Sequence, residues 1–135
     1  MRKRYHMTSD QLGGIMAQTI LIIDDEESIR NLLKHDLEDA GYKTIEAIDG
    51  ISGLKSFEEN NPEAIITDIR MPNVDGITMV QKIRDQNATV PIIALSGYSF
   101  SDERLAACQV DGLLKKPYAK QQLLNFIQTF LSRRG

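Results

Sequence analysis

One cysteine, Cys108, is all the thiol chemistry in this sequence. A single cysteine excludes an internal disulfide. It follows Ala106 and Ala107 in a predicted helix, where a small buried hydrophobe is the plain reading and a nucleophile the remote one. Long apolar runs are also missing; none approaches the ~20 residues that a bilayer-spanning helix needs. The basic start, Arg2-Lys3-Arg4, has no apolar stretch behind it, so no secretory signal is read there. A cytoplasmic protein is the expectation. Strong charge of one sign is absent too: 16 Lys+Arg stand against 19 Asp+Glu, a net charge of -3. That excludes the strongly basic class of general nucleic-acid binders, and a three-residue basic cluster is too short to reverse it. There is no internal repeat and no low-complexity segment.

What is present fits one soluble domain. The chain has 135 residues, 41% hydrophobic and 26% charged, enough for one core without staples. Residues 1–18 mix polar types around Gly13-Gly14 without periodicity and read as a flexible N-terminal extension. Met16 is a second candidate start. Order begins at Thr19. Ile20-Leu21-Ile22-Ile23 is a short β-branched run that stops at Asp24-Asp25, a strand buried on both faces. Ile29, Leu32, Leu33, Leu37 and Ala40 recur at helical spacing until Gly41.

The alternation then repeats. Lys43 to Ala47 is a half-buried strand, and Ile51, Leu54 and Phe57 mark a helix that Asn60-Asn61-Pro62 ends. Ala64-Ile65-Ile66-Thr67 is a strand ending at Asp68. A loop, Met71 to Gly76, leads to a third helix marked by Met79, Val80 and Ile83. Ile92-Ile93-Ala94-Leu95 ends at Ser96-Gly97; Asp102 to Cys108 is a weaker fourth helix; Leu113-Leu114 is a short strand ending at Lys115-Lys116-Pro117. Leu123, Leu124, Ile127, Phe130 and Leu131 mark a fifth helix. Five apolar strands alternating with helices predict an α/β fold, a doubly wound parallel sheet with helices on both faces. Its binding crevice lies at the carboxyl ends of the strands.

Those ends carry the polar chemistry. In the 2-1-3-4-5 strand order of known doubly wound sheets, strands one and three are neighbours about 4.8 Å apart. Asp25 and Asp68 then converge, with Asp24 beside them. Three carboxylates in one crevice need protons or a cation, and hard oxygen ligands with room for water suit Mg²⁺. Lys116 starts about 10 Å away across the sheet, within reach of a lysine stem. Ser96 offers a hydroxyl between them. Carboxylate, metal, hydroxyl and ammonium together can hold a phosphoryl group, with Asp68 as its acceptor.

Each residue alone has a plainer reading. Asp after a strand is often a cap or turn residue, and Asp75-Gly76 reads as turn chemistry. Ser-Gly marks a turn, and a lone lysine is usually a solvated one. His6 and His35 have no metal-ligating neighbours and read as exposed. The conjunction carries the argument, because each polar residue ends its own strand at one edge.

The same residues resemble bacterial response-regulator receiver domains, the chemotaxis-receiver-like superfamily. The resemblance rests on Ile20-Leu21-Ile22-Ile23-Asp24-Asp25-Glu26-Glu27, on Asp68-Ile69-Arg70-Met71-Pro72 with Asp75-Gly76, on Ile92-Ile93-Ala94-Leu95-Ser96-Gly97 and on Lys116-Pro117. It spans about residues 19–132 in the family's order, within a receiver domain taken as 19–135. It implies a flavodoxin-like fold and a phosphorylation-activated switch of a two-component system. Asp68 would accept phosphate from a histidine kinase or histidine phosphotransfer protein. Mg²⁺ would be bound by Asp25, Asp68 and the Arg70 carbonyl, with Asp24 assisting through water. Lys116 would contact the phosphoryl group, Ser96 would move to bond it, and Lys116-Pro117 would be a cis peptide.

Such a protein is no enzyme beyond catalysing its own phosphorylation and dephosphorylation. Its output would be a changed surface for a downstream protein or effector domain, with no direct nucleic-acid or membrane contact. It would be a monomer or a weak dimer through the fourth and fifth helices. Leu113 stands where the family usually has its switch aromatic, so aromatic rotation is not expected; Tyr98 is a weak substitute. Arg70 and Tyr98 are expected to slow loss of phosphate. The chain is read as a stand-alone receiver, with a receiver excised from a DNA-binding regulator, a cyclic-dinucleotide enzyme or a hybrid kinase as the close rival. Two others are a small Mg²⁺-dependent phosphatase, which usually needs an aspartate where Arg70 stands, and an FMN carrier, whose phosphate the acidic crevice repels.

Overall fold

Four helices and five strands are seen in the computed structural model, which describes residues 17–69, 76–96 and 109–134. The first strand, β1 (Thr19–Ile23), is buried from Ile20 onward. Four consecutive apolar residues have nowhere to alternate toward water, so the strand sits mid-sheet with helices on both sides. Helix α1 (Glu27–Asp39) turns Leu33, Asp36 and Leu37 inward. Its end is a Schellman closure: Tyr42 N–H donates to the Leu37 carbonyl at 3.1 Å and Gly41 N–H to that of Glu38 at 3.0 Å. Gly41 carries the left-handed φ of +102° that this turn requires.

Strand β2 (Lys43–Ala47) is exposed at Lys43 and Glu46, as an edge strand should be. Helix α2 (Gly50–Asn60) starts with a capping box: Asp49 Oδ1 accepts from Ser52 N–H at 2.8 Å, and Ser52 Oγ accepts from Asp49 N–H at 3.3 Å. Strand β3 (Ala64–Asp68) is buried throughout, as is β4 (Ile92–Ser96), and α3 (Gly76–Gln86) lies between them in sequence. Strand β5 (Gly112–Lys115) and helix α4 (Lys120–Arg134) complete the fold. Helix α4 is the fifth helix expected from the sequence; the expected fourth, 102–108, lies outside the described residues, as do Cys108 and Tyr98.

The sheet runs β2-β1-β3-β4-β5, and every pair is parallel. Strand residues alternate between two cores. Leu21, Ile23, Ile65, Ile92 and Ala94 face Phe57 of α2 and Met79, Val80 and Ile83 of α3. Ile20, Ile22, Ile66, Ile93, Leu95 and Leu114 face Leu33 and Leu37 of α1 and Leu123, Ile127 and Leu131 of α4. Each fully buried aliphatic side chain contributes about 1.5–3 kcal/mol, and these two layers hold the sheet rigid under its carboxyl edge.

Arg84 of α3 ties the opposite edge. It donates to the carbonyls of Val90 at 2.7 Å and Gln109 at 2.8 Å and pairs with Asp111 Oδ2 at 2.9 Å. The same Asp111 oxygen accepts from Ile92 N–H at 2.8 Å. The starts of β4 and β5 are thereby joined, away from the crevice.

Candidate functional site

Strand register brings the aspartates together. Ile23 of β1 pairs with Thr67 of β3, so the residues that follow, Asp24 and Asp68, stand side by side at the carboxyl edge. One carboxylate oxygen each from Asp24, Asp25 and Asp68 lies within 4.8 Å of the others. Asp24 and Asp68 are buried and Asp25 is exposed, so the cluster opens to solvent on the Asp25 side.

Asp24 is held on all sides but one. Its N–H donates to the Ala47 carbonyl at 3.1 Å, its Oδ1 accepts from Glu26 N–H at 2.9 Å, and its carbonyl accepts from Arg30 Nη1 at 2.9 Å. Oδ2 is buried and has no hydrogen bond. Lys116 Nζ lies 3.5 Å from it, an ionic contact too long for a good hydrogen bond. Burial pushes the Asp24 carboxyl above the ordinary carboxylate range, and the negative charges of Asp68 and Asp25 push the same way. The Glu26 N–H and the Lys116 ammonium pull against them without winning. A buried carboxylate with an unsatisfied oxygen beside two others is a donor set that a hard divalent cation completes.

Lys116 also lies 3.5 Å from Asp68 Oδ2, so one ammonium spans two of the three carboxylates. Backbone pairing fixes its approach: Lys116 N–H donates to the Ser96 carbonyl at 2.8 Å, continuing the β4–β5 ladder. The Lys116–Pro117 peptide is cis, as the resemblance implied. Ser96 is buried at the end of β4, one residue beyond Leu95, the partner of Asp68. The structure therefore gathers Asp24, Asp25, Asp68 and Lys116 directly and sets Ser96 at the same edge. Arg70 and Asp75 lie outside the described residues.

The roles of three residues near the site are not visible in the sequence. Arg30, which grips the Asp24 carbonyl, looks there like any polar helix residue. Gly76 reads in the sequence as turn chemistry, yet a Cβ there would meet the Asp68 carbonyl oxygen at 2.5 Å. Tyr118, after Lys116-Pro117, buries its hydroxyl without a hydrogen bond. Its tyrosine after a cis-prolyl turn was the one available signal, and burial is not visible from it. Leu113, by contrast, is half-buried against the α2–α3 core, with no aromatic ring to rotate at that position.

Fold and site together define a doubly wound α/β domain with an acidic crevice at the carboxyl edge of its sheet. The chain belongs to the response regulator receiver domain family, whose family model matches residues 20–128. Receivers of this family are switches of two-component systems rather than classical enzymes, and phosphorylation and Mg²⁺ binding are typical of them.

The transcriptional regulatory protein PrrA of Mycobacterium tuberculosis is 34% identical over 124 residues, 90% of this chain and 53% of its own length. The alkaline phosphatase synthesis transcriptional regulatory protein PhoP of Bacillus subtilis is 32% identical over 120 residues, 87% of this chain and 50% of its own. The chain thus spans about half the length of these curated relatives. Among solved structures, the receiver domain of the sensor histidine kinase PA1611 from Pseudomonas aeruginosa matches with a TM-score of 0.80 at 28% identity, covering 86% of this chain and 98% of that one. That structure has a magnesium ion coordinated in its active site cleft. No helix among the described residues is long and apolar enough to cross a membrane.

Proposed function

We propose that Asp68 is the phosphoryl acceptor of this receiver and that Asp25, Asp68 and the Arg70 carbonyl hold a Mg²⁺ ion, with Asp24 assisting through water. The observation that carries the reading is the carboxylate triad with Lys116 3.5 Å from two of its members. A bound Mg²⁺ would supply charge neutralisation at the transferred group. The chain's own residues do the rest. An Asp68 oxygen attacks phosphorus; the new P–O bond forms as the P–N bond to the donor histidine breaks, and the imidazole leaves with that electron pair. Lys116 stabilises the charge on the equatorial oxygens. Ser96 donates its hydroxyl to one of them and carries the change to the surface around the fourth helix. The domain catalyses only the gain and loss of its own phosphate.

The donor is a histidine kinase or histidine phosphotransfer protein, and the output is a protein surface that a downstream protein or effector domain reads. The domain is assigned to 19–135 behind an N-terminal extension. It works in the cytoplasm as a monomer or as a weak dimer through the fourth and fifth helices. Arg70 and Tyr98 slow hydrolysis of the acyl phosphate. A second reading, that this receiver governs an effector domain in a longer protein, is favoured by the roughly twofold greater length of the two transcriptional relatives.

Intact-mass spectrometry during incubation with acetyl phosphate tests the assignment. One phosphoryl adduct is expected with Mg²⁺ and none with a chelator, and Asp25→Asn should slow labelling about tenfold or more. Equal labelling without metal would remove Mg²⁺ from the account.

A further inference from the structure

Arg30 makes contacts that a solvated helix residue would not. Its Nη1 donates to the Asp24 carbonyl at 2.9 Å and its Nε to Glu46 Oε1 on β2 at 3.2 Å. Glu46 is held from its other oxygen by Lys34, 3.7 Å away. The Arg30 side chain is 13% exposed, so the fork is packed in place and not waving in water. The carbonyl it grips belongs to the peptide that joins Asp24 to Asp25. That peptide's plane sets the direction in which Asp25 leaves the backbone. Asp24 is otherwise anchored through its own N–H and Oδ1. Asp25 is the exposed member of the triad, and its backbone is where an outer clamp has most to fix.

We infer that Arg30 is a positioning residue for the metal site: by clamping the Asp24–Asp25 peptide between α1 and β2, it pre-sets Asp25 for a divalent cation. The inference rests on the proposed Mg²⁺ site. Its physical logic gives a sign that separates it from a simpler role. A guanidinium near three carboxylates repels Mg²⁺ through space. If charge were its whole effect, removing Arg30 would tighten Mg²⁺ binding. If it positions Asp25, removal loosens binding despite the lost repulsion. If it serves only the fold, stability falls while the affinity of the folded protein stays put.

The experiment is a Mg²⁺ titration followed by amide chemical shifts at fixed ionic strength, with urea unfolding in parallel, on wild type, Arg30→Met and Arg30→Lys. Arg30→Met keeps an aliphatic stem without charge. Arg30→Lys keeps the charge but loses the fork, so a charge-only role predicts no change there. Positioning predicts roughly tenfold weaker Mg²⁺ binding in Arg30→Met, the scale of losing a partner behind a metal ligand, and weaker binding in Arg30→Lys as well. Should Arg30→Met fail to fold, Arg30→Lys alone decides. Unchanged or tighter binding in the folded variants overturns the inference and leaves the metal site standing. No saturable shift in the wild type overturns both.

Discussion

Asp24 Oδ2 and Tyr118 Oη are the buried side-chain oxygens without a hydrogen bond among the described residues, and the two have different reasons to be there. The Asp24 oxygen lies in the acidic cluster, where water on the proposed Mg²⁺ would satisfy it. Tyr118 packs against the α1–α4 core, and its hydroxyl has no comparable use. Burial first, then the negative charges of Asp36 and Asp24, push its phenol from 10.0 up to about 12. Ionising this phenol costs more in the folded than in the unfolded state, so stability is unaffected below pH 10 and falls as pH rises from 10 toward 12. Tyr118→Phe removes an unsatisfied donor and should stabilise the fold by about 1 kcal/mol at pH 8. It should also flatten the loss of stability between pH 10 and 12. Urea unfolding at pH 8 and pH 11 checks both; destabilisation at pH 8 would show that the hydroxyl is bonded after all.

At the scale of elements, what matters is how closely helices approach the strand ends. Gly76 begins α3 and donates its N–H to the Ile69 carbonyl at 3.0 Å. A methyl group there would meet backbone, Asp68 O at 2.5 Å and Ile69 Cα at 2.7 Å. A methyl group on Gly53 of α2 would instead meet side-chain ends, Ile23 Cδ1 at 2.7 Å and Met79 Sδ at 3.0 Å, which can shift. Gly76→Ala should therefore cost about 1–3 kcal/mol and slow phosphoryl labelling, because the backbone that moves carries Asp68. Gly53→Ala should leave the labelling rate of the folded protein near wild type. Urea midpoints and intact-mass time courses on both variants make the comparison; equal labelling rates would deny Gly76 its role.

The same contrast explains what the sequence could show. Strands and helices were legible because Ile20–Ile23 and the α1 spacing are local patterns. Gly76 against Asp68, or Arg30 against Asp24, is a contact set by how helices seat on the sheet, and no period encodes it.

Across the whole molecule, the parallel β2-β1-β3-β4-β5 order turns separate strand ends into one crevice. Asp24, Asp25, Asp68, Ser96 and Lys116 were legible because they end or follow four apolar runs, and the sheet does the gathering. No local pattern in the residues encodes that order, which follows from how the crossovers seat on the sheet. Output is less legible, because it depends on the expected fourth helix and on a half-buried Leu113 in place of an aromatic. Helical layers on both faces leave the carboxyl edge as the place where charge can change without disturbing either core. A switch built this way can alter one edge while its stability stays in two packed layers.

The proposed switch stands or falls on whether the phosphate sits on Asp68. The direct measurement is to phosphorylate the protein with acetyl phosphate and Mg²⁺, reduce the acyl phosphate with borohydride, and map the product by peptide mass spectrometry. A homoserine in place of the aspartate at residue 68 is expected in the wild type and none in Asp68→Asn. Reduction at another carboxylate, or equal labelling of the Asp68→Asn variant, would contradict it.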